Sequence, residues 1–175
     1  MSSDRDLAAL GERFEAIMAA ERELIGAAHN GELKRAKLIL AAGRRGEYEV
    51  EALSTVAIGV ELMALAVDEH YRALGPRSEG DPSLSILAGD RLYALAMEQI
   101  CSVGRPDLTK IAASTVEAIA SSEATAGWQS RESEDGRMGR EQMIDSGALA
   151  MVATVAGLSE TDLAELTKEP AWLSH

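Results

Sequence analysis

The chain has 175 residues, of which 46% are hydrophobic and only 3% are aromatic, and its formal net charge is −12. This length suits a single domain over residues 1–175 with a substantial core. The acidic balance argues against nucleic-acid binding, because phosphate contacts need basic patches. Cys101 is the single cysteine, so an internal disulfide cannot form. The sequence carries no leader pattern or membrane-length apolar run, which predicts a cytoplasmic protein without a transmembrane segment.

Apolar residues recur at helical spacing along the whole chain, and turn-forming residues separate the segments. Ser159 and Asp162 are spaced to cap a last helix that ends before Pro170. The stretch "GPRSEGDPS" reads as a loop, and no alternating strand pattern is present. The sequence therefore predicts an all-α bundle of about seven helices. Before the last helix, they cover approximately residues 4–28, 32–43, 48–74, 84–103, 108–127 and 138–156.

The segment from Leu84 to Val103 is apolar on nearly every side. Helices of this kind are buried in most directions. We therefore expect it to be the most buried helix, with Leu87, Leu95 and Met97 inaccessible to solvent.

The stretch "VDEHYR" at residues 67–72 places acids, a histidine and a tyrosine inside a long apolar helix. Helical spacing puts Glu61, Asp68 and Arg72 on the polar side of that helix, where Asp68 and Arg72 can form an ordinary surface pair. The apolar line that includes the histidine consists of Val56, Val60, Met63, Val67, His70 and Leu74.

A metal site on this helix is one interpretation of the same stretch. Metal-binding helical bundles place a carboxylate three residues before a histidine, and Val67 stands at that position relative to His70. The pattern favours a polar patch without chemistry. A small metal-dependent helical enzyme that uses Asp68, Glu69 and His70 stays open as an alternative.

Four stretches, taken in order, resemble the trans-isoprenyl (polyprenyl) diphosphate synthase family. They are "GELKRAKLILAAG" at 31–43, "VELMALAVDEH" at 60–70, "SILAGDRLYALAMEQI" at 85–100 and "REQMIDSGALAMVATVAGLSETDLAEL" at 140–166. The resemblance covers most of residues 31–166. It implies a bundle like the N-terminal part of the isoprenoid synthase fold.

The resemblance also implies where the chemistry of the family would lie. Family enzymes hold a diphosphate through magnesium ions bound to two aspartate-rich motifs. His70 matches the histidine before the first motif, whose leading aspartates fall on Tyr71 and Arg72. The second motif would lie beyond His175. Residues 68–72 (Asp68, Glu69, His70, Tyr71 and Arg72) are therefore expected to be a degenerate metal motif with no metal or cofactor, the magnesium belonging to a catalytic partner.

One basic residue of the diphosphate site has a match in this chain. Arg35 matches a family arginine and is a weak candidate for diphosphate binding. The two neighbouring basic positions match Glu32 and Leu33, and an acid there opposes an anionic substrate. We therefore assign no catalytic residue to this chain.

The resemblance as a whole implies a non-catalytic small subunit of a heteromeric polyprenyl diphosphate synthase, such as the hexaprenyl and heptaprenyl enzymes. Such a subunit would be inactive alone, bind a full-length catalytic synthase and form a homodimer in its absence. A second reading is a self-associating degenerate homologue with a binding role. The residues expected to face a partner are Tyr93, Met97, Ile100, Ile119 and Ala120.

Overall fold

The computed structural model describes residues 2–25, 33–72, 81–125 and 133–168, and within these ranges every regular element is a helix. The predicted all-α fold is confirmed. The predicted end of the first helix at residue 28, most of the "GPRSEGDPS" loop, Pro170 and His175 lie outside the described residues. The helices are α1 (Ser2–Ala20), α2 (Arg22–Ile25), α3 (Lys34–Gly43), α4 (Val50–Arg72), α5 (Pro82–Ser102), α6 (Pro106–Thr125), α7 (Glu134–Ala156) and α8 (Glu160–Leu166).

Local capping residues set several helix ends. Asp81 accepts a hydrogen bond from the Ser83 N–H, with Pro82 at the first position of α5, so this helix begins two residues before the predicted start. Ser133 likewise caps α7, which begins at Glu134 rather than at the predicted Met138. The predicted cap of the last helix is confirmed, because Ser159 and Asp162 form a reciprocal capping box.

Helix α4 is the centre of the bundle and packs against α1, α3, α5 and α7. Each fully buried Leu, Ile, Val or Met contributes about 1.5–3 kcal/mol to the free energy of unfolding. This helix supplies much of the core through Leu53, Val56, Ile58, Val60, Leu62, Met63 and Val67.

The expectation that α5 is the most buried helix was wrong. Leu84 and Leu87 are each 54% exposed, and Met97 is only half-buried, whereas Leu95 is buried as predicted. The physical reason is that α5 packs mainly against α4, with α2 and α6 beside it, so its first half lies at the edge of the bundle. Because α5 is apolar on nearly every side, its sequence does not indicate which side packs against the other helices.

The stretch Val50–Tyr71 within α4 is long and apolar enough to cross a membrane, by length and composition alone. The expectation that no apolar run approaches this length was therefore wrong. The core helix of a bundle meets the same two criteria, and 78% of the apolar window is buried inside the protein. Among the described residues no other helix meets them.

Two glycines allow α4 and α5 to approach closely. A Cβ on Gly59 would overlap the Ile100 side chain, and a Cβ on Gly89 would come within 2.7 Å of His70 Nε2 and closer still to His70 Cδ2. In contrast, a Cβ on Gly139 in α7 would have no neighbour within 4 Å. The "ILAGD" glycine is therefore needed for the contact between the two helices.

We expect Gly89→Ala to lower the free energy of unfolding by about 1–3 kcal/mol, because the added methyl overpacks the contact with His70. Gly139→Ala is the matched control, and it should stabilise the protein by up to about 1 kcal/mol through helix propensity alone. Urea unfolding followed by circular dichroism measures both. If Gly89→Ala stabilises the protein as much as the control does, the close contact is not rigid.

Candidate functional site

The residues of "VDEHYR" point in different directions, because successive residues on a helix are about 100° apart. Asp68 lies at the surface, while Glu69 is only 5% exposed and faces the bundle. His70 turns towards α5, and Tyr71 towards α7. The side chain of Arg72 lies outside the described residues, so the predicted pair between it and Asp68 stays a prediction.

His70 connects two of the four stretches that carry the resemblance, residues 60–70 and residues 85–100. Its ring covers Gly89, and the ring centroid lies 5.3 Å from that of Tyr93. Its Nε2 is 3.2 Å from Oδ1 of Asp90, within ion-pair distance, but the two groups are not aligned as a hydrogen bond. Burial raises the pKa of Tyr93 to about 12, with Tyr71 and Asp90 adding to the effect, so its hydroxyl stays protonated.

Tyr71 lies beneath the guanidinium of Arg140 on α7, whose Cζ is 4.2 Å from the ring centroid. This distance is typical of a cation–π contact. Arg140 also donates from Nη1 to Oε1 of Glu123 on α6 at 2.9 Å, and both side chains are only 10% exposed. The position that the resemblance assigns to a metal-binding aspartate is thus part of a buried contact between three helices.

Arg35, the candidate for diphosphate binding, is held by an internal carboxylate. Its Nε donates to Oδ1 of Asp145 on α7 at 2.9 Å, and the two side chains are 14% and 12% exposed. Loss of hydration raises the pKa of nearby Asp68, while Arg35 acts in the opposite direction. Solvent screening weakens both effects, because Asp68 stays exposed.

Glu61 is buried, although its helical spacing placed it on the polar side of α4. Its Oε1 accepts a hydrogen bond from the Ala36 N–H at 2.8 Å, in the first turn of α3, where Leu33 provides no side-chain cap. A carboxylate at this position also interacts favourably with the helix dipole. Burial nevertheless raises the pKa of Glu61, which the Ala36 N–H and Arg35 partly oppose.

This raised pKa predicts a pH dependence of stability. Because the folded state favours protonated Glu61, the stability that it contributes is fullest at or below the unfolded-state pKa. It declines as the pH rises through the folded-state pKa. Glu61→Gln retains an acceptor but cannot ionise. The variant should therefore become more stable relative to the wild type as the pH rises, which means that the difference in free energy of unfolding (variant minus wild type) increases.

Urea titrations from about pH 4 to about pH 8 measure this difference across the carboxyl range. The control is Glu117→Gln, the same change at an exposed residue of α6. A difference for Glu61→Gln that does not vary with pH would contradict the assignment.

The described residues contain no group of three or more His, Cys, Asp or Glu side chains that could hold a metal ion. In particular, Asp68, Glu69 and His70 do not converge. This arrangement gives no support to a metal-dependent enzyme built on those three residues.

The expected partner residues divide into two sets. Ile100 and Ile119 are 0% and 1% exposed and pack in the core, so their assignment to a partner surface is corrected. The physical reason is that Ile100 fills the space above Gly59. Tyr93 and Met97 are half-buried and Ala120 is exposed, which leaves them accessible.

Sequence reasoning missed four charged residues of the site, namely Asp90, Glu123, Arg140 and Asp145. A signal was present for two of them. Arg140 lies four residues before Ile144 and Glu123 four after Ile119, which puts each on the buried stripe of its helix. Charged residues on an apolar stripe are paired when buried, so a partner was to be expected.

Two comparisons with known proteins bear on this site. No family model matches the chain. One characterised relative, heptaprenyl diphosphate synthase component 2 of Geobacillus stearothermophilus, is 27% identical over 127 residues. The match covers 63% of this chain and 40% of that protein.

The chain is similar to a prenyl synthase component. The similarity supports a relationship to the prenyl synthases, and it agrees with the resemblance of the quoted stretches. The chain spans well under two thirds of that relative's length.

Proposed function

We propose that the chain is a non-catalytic subunit of a heteromeric polyprenyl diphosphate synthase. The observation that carries the proposal is the packing of Tyr71 beneath Arg140, which is itself paired with Glu123. A magnesium-bound diphosphate would need carboxylates at this position. A tyrosine ring held under a guanidinium provides a structural contact in place of metal ligands.

The state of Arg35 supports the same proposal. A cation can bind a diphosphate only if its charge is available to the ligand. Asp145 is within hydrogen-bond distance of Arg35, and both are largely withdrawn from water. An added anion would compete with this carboxylate for the guanidinium, and a displaced Asp145 would be left buried and unpaired at a cost of several kcal/mol. We therefore do not retain Arg35 as a diphosphate-binding residue.

The partner under this proposal is a full-length polyprenyl diphosphate synthase subunit that provides all the metal ligands. The similar protein is named as one component of a synthase, which supports an assembly of unlike subunits for its relatives. In such a complex this chain would contribute surface and shape, and the partner would contribute the reaction.

Co-expression with a full-length synthase tests the proposal. With an affinity tag on this chain only, the synthase should co-purify, and the complex should differ from the synthase alone in turnover or product length. Untagged chain with tagged synthase provides the reciprocal control. A synthase that neither co-purifies nor changes its product would contradict the proposal.

A further inference from the structure

A groove with a volume of about 630 Å3 lies between α6 and α7. The first and last residues of α7 that line it are Gly139 and Ala150, about 16 Å apart at the rise of an α-helix. Small-molecule sites typically have volumes of about 300–1,000 Å3. This groove, called the α6–α7 groove below, is therefore large enough for an extended small molecule.

The walls of the α6–α7 groove are mainly apolar, although several lining residues carry hydroxyl groups. The side chains of Ile111 and Met143 are half-buried and line it from the two helices. Thr115 donates its hydroxyl proton to the Ile111 carbonyl at 2.9 Å, and Ser146 donates to the Gln142 carbonyl at 2.8 Å. Because these protons are used within their own helices, the two hydroxyls offer no free donor to a ligand.

The floor of the groove is closed, and one end is open. Gly147 and Thr115 are buried, and a Cβ on Gly147 would overlap the Thr115 hydroxyl, so the two helices are in close contact there. A Cβ on Gly139 would instead have no neighbour within 4 Å. A ligand can therefore lie along the groove, but it cannot pass between the helices.

Two contacts show that α6 and α7 are antiparallel and fix the direction of the groove. Arg105 at the start of α6 donates to the Thr154 carbonyl near the end of α7 at 2.8 Å. Glu123 near the end of α6 pairs with Arg140 near the start of α7. Lys110 is therefore at the end of the groove near Arg105, and the pair that adjoins residues 68–72 is at the other end.

Lys110 carries the single charge among the residues that line the groove. It is exposed, and within the described part of the chain it has no ion-pair partner. The acid one turn before it, Asp107, is paired with Arg105 at 2.7 Å. A cation at one end of an apolar groove is complementary to a ligand with one anionic head and an apolar chain.

We propose that the α6–α7 groove binds a fatty acid, with the carboxylate at Lys110 and the hydrocarbon chain along Ile111 and Met143 towards Gly139. One lysine balances one negative charge. A diphosphate carries more, and the net charge of −12 on the chain would repel the excess. The head group lies at the end of the groove away from residues 68–72. The inference goes beyond the proposed function and does not depend on it.

Calorimetric titration of the isolated full-length chain with dodecanoate tests the inference. At about pH 7.5 both the carboxylate and the lysine are charged. We expect one dodecanoate per chain and a dissociation constant between about 10 μM and 1 mM, the range for a ligand of this size. Dodecyltrimethylammonium has the same chain and the opposite charge, and it should bind more weakly.

Variants of the lysine test the position of the head group. Lys110→Gln should weaken dodecanoate binding about twofold to fivefold, the contribution of an exposed ion pair. Lys110→Glu should reverse the preference, so that dodecyltrimethylammonium binds more tightly than dodecanoate. Lys37→Gln, the same change at an exposed lysine of α3, is the matched control and should leave both affinities unchanged.

A bulky residue in the groove tests the position of the chain. Ala118→Phe fills the groove from α6 and should abolish saturable binding of dodecanoate. Ala113→Phe is the matched control, because Ala113 is exposed on the same helix and does not line the groove. Thermal unfolding of each variant identifies any loss of folding. Should Ala118→Phe fail to fold, Ala118→Leu replaces it and should weaken binding.

Four results would overturn the inference. They are no saturable dodecanoate binding below about 5 mM, tighter binding of dodecyltrimethylammonium than of dodecanoate by the wild type, tighter binding of farnesyl diphosphate than of dodecanoate, and equal effects of the two phenylalanine variants. All four are measured without a synthase, so they are independent of the co-expression test of the proposed function.

Discussion

The isolated chain is expected to form no condensation product from isopentenyl diphosphate and an allylic diphosphate in the presence of magnesium. The reason is that Tyr71 offers no carboxylate to the metal and is packed beneath Arg140. Arg35 is neutralised by Asp145. A radiolabelled assay on the chain without a partner measures this, with a full-length synthase as the positive control.

Restoring the first motif should not change that outcome. Tyr71→Asp with Arg72→Asp returns two carboxylates at the matched positions. The second aspartate-rich motif, which family enzymes also need, has no match within residues 1–175. We therefore expect no product from this variant either. Product made by the wild-type chain, and lost in Asp68→Ala, would instead favour a metal-dependent enzyme.

Arg140→Ala is expected to lower the free energy of unfolding by about 3–5 kcal/mol, because it leaves Glu123 buried without its cation. It also removes the cation–π contact to Tyr71. Arg137→Ala is the matched control on the same helix. Its pair with Glu141 is more exposed, so its loss should cost less than about 1 kcal/mol. Urea unfolding measures both variants.

A double variant distinguishes the contribution of the Arg140–Glu123 charges to stability from the contribution of their side-chain packing. Arg140→Leu with Glu123→Leu removes both ions and retains apolar volume, so it should be less destabilising than Arg140→Ala alone. If Arg140→Ala instead resembles Arg137→Ala, the ion pair is hydrated and does not hold the site together.

The helices and most of their ends could be predicted from the sequence, because the signals are local. The spacing of Val56, Val60 and Met63 predicts one buried face of α4, and these residues are buried. Ser159 and Asp162 predict a capping box three residues apart, and they form it. Helical periodicity and capping depend on neighbours within one or two turns, so the sequence contains them directly.

The identity of the covered faces was decided only by the tertiary structure. Leu87 and Leu95 look alike in the sequence of α5, yet Leu87 is exposed and Leu95 is buried. Which of two apolar faces meets α4 depends on the packing of the whole bundle. The glycine at position 89 shows the same limit, because its need for space comes from His70 on another helix.

The candidate site could be located from the sequence but its internal contacts could not. The resemblance predicted that the site would include residues 68–72 and Arg35. In the structure Arg140 lies over Tyr71, and Asp145 pairs with Arg35. Those partners are distant in the chain: Asp145 lies 110 residues from Arg35, and Glu61 lies 25 residues from the N–H that it caps. By itself the sequence determined that these helices form and which stretch matches the position of the family's metal motif. Only the folded bundle determined that buried ion pairs fill that place, because a pair between distant helices exists only once both have packed.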